Sequence, residues 1–400
     1  MPAFARNLVA IALGLVFAAL ALAVWTAIGD DRRAPPNPPI AVSEFEGPLH
    51  TVWLQYASDA QDITGRAQAD FLRGLGPGTR VAITVGGAEQ AQALRVWLAG
   101  QRLDQSLSSR LTVVEAPGPL TPWTRDRALF VRSGDDLRLL VPPEPDPLWV
   151  RRHNDWAAVP LLAAAVGRAK AIELPLQFDG GDLLLLDDAV VFGANLWAKN
   201  AARGYATPAE LGAALVKWLG RPAVCLGDRD GDVPPYHIAM YLAPVGPKAA
   251  LVGDPRLSRA VTGPAFAPGD LSADDGSVLV ADDGTPTQAQ FDRAASDLAR
   301  LGWRVERVPV VAFDSRTYIT WTNAVAETGP SGKRVYLPQY AVDDRPVPLS
   351  AANQALRTLD RIGAAAWIRH GFAVVPVRVA GVWPHHGTIG CLVAVLRRGR

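Results

Sequence analysis

Five amphipathic segments of helical period, separated by short β-branched or aliphatic runs, constrain this chain's fold more than any other feature. They begin near residues 88, 156, 207, 286 and 350, a recurrence of roughly 50 to 80 residues that marks a structural repeat without obvious sequence identity. In the first unit "RVAITVGG" reads as a strand, and the helix "AEQAQALRVWLAGQRL" follows with Ala88, Ala91, Leu94 and Leu98 on one face. The second helix, "WAAVPLLAAAVG", carries Pro160 near its start. "TPAELGAALVKWLG" is the best marked: Thr207 can cap it, Pro208 suits the first helical position, Glu210 completes a capping box and Gly220 can close it in a left-handed turn. "TPTQAQFDRAASDLARLG" and "SAANQALRTLDRIG" each open on a hydroxyl residue and close on glycine. "LLLLDDAVVFG" predicts a hairpin turning at Asp187-Asp188. The expected fold class is therefore α/β, built from five similar units.

The units begin at about Val52, and two segments precede them. Residues 1–29 contain the uncharged run Leu8 to Ile28 behind Arg6, long enough to cross a hydrocarbon core of roughly 30 Å as one hydrophobic helix. This predicts either an uncleaved transmembrane anchor or, with Ala21-Leu22-Ala23 as a small-residue site, a removable signal peptide. The unbroken continuation through Val24, Trp25 and Ile28 favours the anchor. Either fate exports the folded part, as a membrane-anchored extracytoplasmic domain or a secreted one. Residues 30–50 read as a Pro-rich linker and residues 51–400 as the folded domain. Forty basic residues against 39 acidic ones leave a formal charge of +1 with no basic block, which argues against nucleic acid as a partner. "VGGAEQ" lacks the third glycine of a dinucleotide-binding turn. The oligomeric state is left open.

Each helix is followed by reactive residues in turn-rich or strand-end context. They are Asp126 in "PWTRDRALFV", Asp179 in "LQFDGGDLLLL", His237 in "DGDVPPYHIAMYL", Thr322 and Asn323 in "YITWTNAVAE", and Cys391 in "HHGTIGCLVAVL". Singly, each has a structural alternative: Asp126 can pair with Arg125 on a surface turn, Asp179 can start a hairpin, His237 can be a hydrogen-bonded strand-end residue, and Cys391 can be a small core hydrophobe. In a ring of five units the equivalent positions converge on the axis. Cys225, in the apolar "RPAVCLGD", reads as an inert buried thiol, leaving Cys391 free.

The order W-T-R-D, then D-G-G-D, then an H-I strand, then "VYLPQYA", then a Gly-rich turn and Cys391 resembles the guanidine-modifying pentein superfamily, over roughly Val52 to Arg397. Its members include agmatine deiminases, arginine deiminases, dimethylarginine hydrolases and bacterial-type peptidylarginine deiminases. The resemblance implies a five-bladed α/β propeller of pseudo-fivefold symmetry and the hydrolytic deimination of a guanidine, in agmatine, arginine or peptidyl arginine. A planar guanidinium needs a buried acid that accepts paired hydrogen bonds, here Asp126. Trp123, Arg125 and Asn323 are the other expected substrate-binding residues. A thiolate is the fitting nucleophile, and Cys391 is that residue. His237 protonates the departing ammonia and deprotonates the hydrolytic water. By the resemblance, Asp179 holds the histidine in its useful tautomer. No metal or cofactor is required. Two departures stand out: His237-Ile238-Ala239 replaces a His-x-Asp, and Asp179 stands where glutamate is usual. The missing carboxylate points to an alkylated guanidine, as in dimethylarginine-type hydrolases, to Asp230 or Asp232 as its substitute, or to a silent pentein that binds or scaffolds.

Overall fold

The computed structural model describes residues 39–146, 148–268, 278–342 and 350–399. From Ile40 onward the chain forms one compact unit carrying five small sheets. Leu183–Leu185 and Val190–Gly193 pair antiparallel; the helix Pro208–Leu219 then crosses over to Ala223–Leu226, which pairs parallel to Val190–Gly193. The same ββαβ order recurs around the helices Val150–Val166, Thr285–Arg300 and Ala351–Arg369. In the remaining sheet the antiparallel pair is made by the two ends of the fold, Val393–Arg398 against Leu49–Tyr56, followed by Arg80–Val85 and Leu111–Glu115 in parallel. This mixed α/β set of five sheets is consistent with a propeller-like arrangement, closed by the strand from each terminus.

Local signals in the sequence account for much of this. Thr207 accepts from the Glu210 backbone, Pro208 opens the helix and Gly220 closes it with φ 66°. Leu186 N donates to Ala189 O across the Asp187-Asp188 turn. Val150–Val166 begins at Val150 rather than near 156, with Pro160 inside it. The helix Gln61–Gly74 has no counterpart in the expected set. It lacks a side-chain cap and carries Gly65, so the usual start signal is absent, yet it is the first sheet's crossover and buries Ala67, Phe71 and Leu72.

Two expectations about the N-terminus need correction. Residues 30–50 are not wholly a linker, because Ile40–Ala41 pairs with Leu129–Ser133, Phe45 is buried and a strand starts at Leu49. Membrane anchoring gains no support either. Among the described residues no helix is long and apolar enough to cross a membrane, and the run from Leu8 to Ile28 lies outside them. The extracytoplasmic localisation built on that run is withdrawn.

The packing that matters most for function surrounds Trp321. The helix Ala351–Arg369 presses Gly363 onto its indole, Asp360 accepts from Trp321 Nε1 at 3.1 Å, and Trp367 Nε1 donates to Trp321 O at 2.8 Å. Tyr340 Oη accepts from Thr320 N and donates to Thr320 O. These bonds satisfy the buried polar groups and hold the strand end that carries Thr322 and Asn323 in one position.

Candidate active site

The chemistry-bearing residues occupy equivalent places. Each lies after the last parallel strand of one unit, where the chain passes to the next sheet. Four of the five passages make a single helical turn: Thr124–Arg127, Gly180–Asp182, Ile238–Met240 and Ile389–Leu392. The fifth follows Tyr318–Thr320 and presents Asn323. Cross-links tie the passages together: Thr322 Oγ1 donates to Ala239 O at 2.9 Å, and Thr388 Oγ1 to Asn323 O at 2.6 Å.

Asp126, His237 and Cys391 line one cavity of about 330 Å³, along with Trp123, Arg152, Tyr236, Arg316, His385 and His386. All three of the first group are buried to within 4% exposure, so their charges act in a medium far less screening than water. His237 Nδ1 lies 3.7 Å from Asp126 Oδ1, and His237 Nε2 lies 3.9 Å from Asp179 Oδ2. Cys391 lines the same cavity and adds to the field that favours the charged ring. Burial alone would lower its pKa; Asp126, Asp179 and Cys391 outweigh burial and hold the ring well above the ordinary value. Burial likewise pushes Asp179 up, but His237, Lys199 and Arg152 bring it down to about 2. Burial pushes the Asp126 carboxyl up, against the pull of His237 and Arg152.

The ring of His237 is held by packing as well as charge. Tyr236 stacks on it with centroids 4.0 Å apart and planes 12° from parallel. Gly181 presses on it so closely that a Cβ there would sit 2.4 Å from His237 Nδ1, which explains a glycine at this point of the D-G-G-D run. Asp179 N donates to Asp182 Oδ2, and Asp182 pairs with Lys199 at 2.8 Å, which fixes the turn that presents Asp179.

Cys391 receives a hydrogen bond from Asn323 Nδ2 at 3.0 Å, and the same amide reaches Met240 Sδ at 2.8 Å. A Cβ at Gly390 would fall 1.9 Å from Asn323 Oδ1, so the Gly-rich approach to Cys391 is what admits that amide. Both cysteines are free. Cys225 lies away from the cavity, its thiol pushed up to about 12 by burial.

Not every expected residue faces the cavity. Arg125 turns away to pair with Glu44 at 2.7 Å and to donate to Leu183 O, so its expected contact with substrate is corrected. Asn323 meets the thiol instead of lining the cavity. Asp232 is used by the Asp228 and Arg229 backbones of its own turn, and Asp230 is exposed, so neither stands in for the carboxylate missing at Ala239. Arg152 was not among the expected residues. It opens a helix, where an arginine reads as solvated, yet its Nη1 reaches Asp126 Oδ2 at 3.4 Å. Asp126 Oδ1 is buried without a hydrogen-bond partner, its nearest charged neighbour being His237 Nδ1 at 3.7 Å. Among the described residues, no three His, Cys, Asp or Glu side chains are grouped to hold a metal ion.

No family model and no curated protein sequence matches this chain. Solved structures do. An agmatine deiminase of C. jejuni superposes with a TM-score of 0.61 at 11% identity, covering 90% of this chain and 96% of that one. The chain has the pentein fold. A putative arginine deiminase from Porphyromonas gingivalis gives 0.61 at 15% identity, over 89% and 97% of the two chains. An agmatine deiminase of Enterococcus faecalis gives 0.59 at 14%, over 90% and 96%. At such identities the likeness establishes the fold, and the chemistry of this chain has to be argued from its own residues.

Proposed function

We propose that this pentein hydrolyses a guanidino group to a ureido group and ammonia, with Cys391 as nucleophile. The observation that carries the reading is the meeting of Asp126, His237 and Cys391, from three sequence-distant turns, in one cavity. The solved neighbours being agmatine deiminases adds support at the level of the family.

The residues of the cavity support the following steps. The Asp126 carboxylate, buried in the cavity wall, accepts N–H groups of the guanidinium. The Cys391 thiolate attacks the central carbon, forming a C–S bond while the π electrons move onto nitrogen. His237, held protonated by its acidic neighbours, gives its proton to one nitrogen. The C–N bond breaks and ammonia leaves, so the enzyme carries an S-alkylthiouronium cation. Neutral His237 then takes a proton from water, and the hydroxide adds to the same carbon. The C–S bond breaks with its electron pair returning to sulfur; the ureido product sheds its proton to the released ammonia. Asp179, 3.9 Å from His237 Nε2, orients the ring throughout and favours its protonated form.

The test is release of ammonia and ureido product from a panel of guanidines, with Cys391→Ala alongside. Turnover that disappears in Cys391→Ala is expected. No turnover of any guanidine, with ligand binding retained, would replace this reading by that of a silent binding pentein.

A further inference from the structure

Resting on the guanidine reading, the structure leads us to infer that the outer part of the cavity is a carboxylate subsite built on Arg316, so that the substrate is a guanidino carboxylate and not a guanidino amine. The inference rests on a charge imbalance within the cavity. Asp126 is the one acid among the described residues lining it, and together with Asp179 behind His237 it is already faced by Arg152 and His237. Arg316, His385 and His386 line the same cavity. Arg316 has no carboxylate partner among the described residues. Its nearest acid in sequence, Asp314, is occupied otherwise: Oδ1 accepts from the backbones of Arg316 and Thr317, and Oδ2 from Thr317 Oγ1 at 3.1 Å.

The loop that carries Arg316 is built, not incidental. It joins the strands Arg304–Ala312 and Tyr318–Thr320, closes with Phe313 N donating to Thr317 O, and is organised by Asp314. Thr317 Oγ1 then bonds His386 Nδ1 at 2.8 Å, which ties the loop to the chain leading into Cys391. His386 is one of five described non-glycine residues with positive φ, at 66°, a conformation that costs free energy and is held here by this contact and the Trp383 backbone bond. The backbone of Arg316 is thereby fixed where its residue lines the cavity that contains the nucleophile.

A guanidinium seated on Asp126 leaves Arg316 uncompensated at the other end of the ligand. A second positive charge, as in guanidinobutylamine (agmatine), meets the Arg316 guanidinium unfavourably. A carboxylate at that end instead accepts paired N–H bonds from a guanidinium fork. Charge-assisted hydrogen bonds of this kind correspond to a preference on the order of tenfold to a hundredfold.

The test measures binding to full-length Cys391→Ser protein by calorimetry for four probes of similar length: guanidinobutyrate, guanidinobutanol, agmatine and pentanoate. Guanidinobutyrate is expected to bind tightest and agmatine weakest. Arg316→Ala should remove most of the carboxylate advantage while leaving guanidinobutanol unchanged. Agmatine binding as well as guanidinobutyrate, or an equal loss for all probes in Arg316→Ala, overturns the subsite and leaves the guanidine reading standing. Pentanoate matching guanidinobutyrate, with the same dependence on Arg316, overturns the guanidine reading and keeps the subsite. Absence of binding by every probe overturns both.

Discussion

Replacing Gly181 by alanine should disable the site without replacing any reacting group. Gly181 has no positive φ, so alanine suits its backbone and the whole effect comes from contact. The added Cβ would lie 2.4 Å from His237 Nδ1, 2.5 Å from its Cγ and 3.0 Å from its Cβ. Carbon contacts settle near 3.5 to 4.0 Å, so the imidazole must retreat by about 1 Å. Tyr236, stacked at 4.0 Å, resists that movement. Overpacking of this kind costs about 1 to 3 kcal/mol of stability. A misplacement of about 1 Å in a catalytic group can lower turnover by about a hundredfold. Moved from Asp126 and Asp179, the ring should also titrate closer to its ordinary value. Three measurements check this: kcat/KM on the best guanidine, the His237 titration by nuclear magnetic resonance, and the urea midpoint. Gly181→Ala protein with native turnover and a native His237 titration would refute the claim that this contact positions the ring.

Three further outcomes are expected. The folded-state pKa of His237 is raised above 6.5, so its contribution to stability is fully present below that pH and is lost as pH rises through the raised value; the urea midpoint should fall over that range in the native protein and lose this component in His237→Gln. Gly363→Ala would put a Cβ 2.2 Å from Trp321 Cγ, so it should destabilise the fold by about 1 to 3 kcal/mol, read as a lower denaturation midpoint; an unchanged midpoint would show that the helix Ala351–Arg369 is not pressed against that indole. Iodoacetamide at about pH 8 should label Cys391 and spare Cys225, whose thiol is held as the unreactive acid by burial; peptide mapping that finds the label chiefly on Cys225 would contradict this.

What the sequence by itself determined was whatever is written in neighbouring residues. Thr207, Pro208 and Gly220 mark one crossover helix from end to end, Asp187-Asp188 marks a hairpin, and the five-fold recurrence places Asp126, Asp179, His237, Asn323 and Cys391 at equivalent passages between sheets. These signals are local because caps, turns and apolar periods act over a few residues. Which side chains meet across the passages was decided only by the tertiary structure. Arg125, adjacent to Asp126 in sequence, turns away to Glu44, 81 residues away, while Arg152, 26 residues away, reaches Asp126. Asn323 belongs to the thiol and not to the cavity wall, because Gly390 leaves room for its amide. Arg316 was not among the residues the sequence singled out, and it lines the cavity through a loop organised by Asp314 and joined to His386 through Thr317. A side chain's direction depends on the packing of segments far apart in the chain, and no local pattern carries that information.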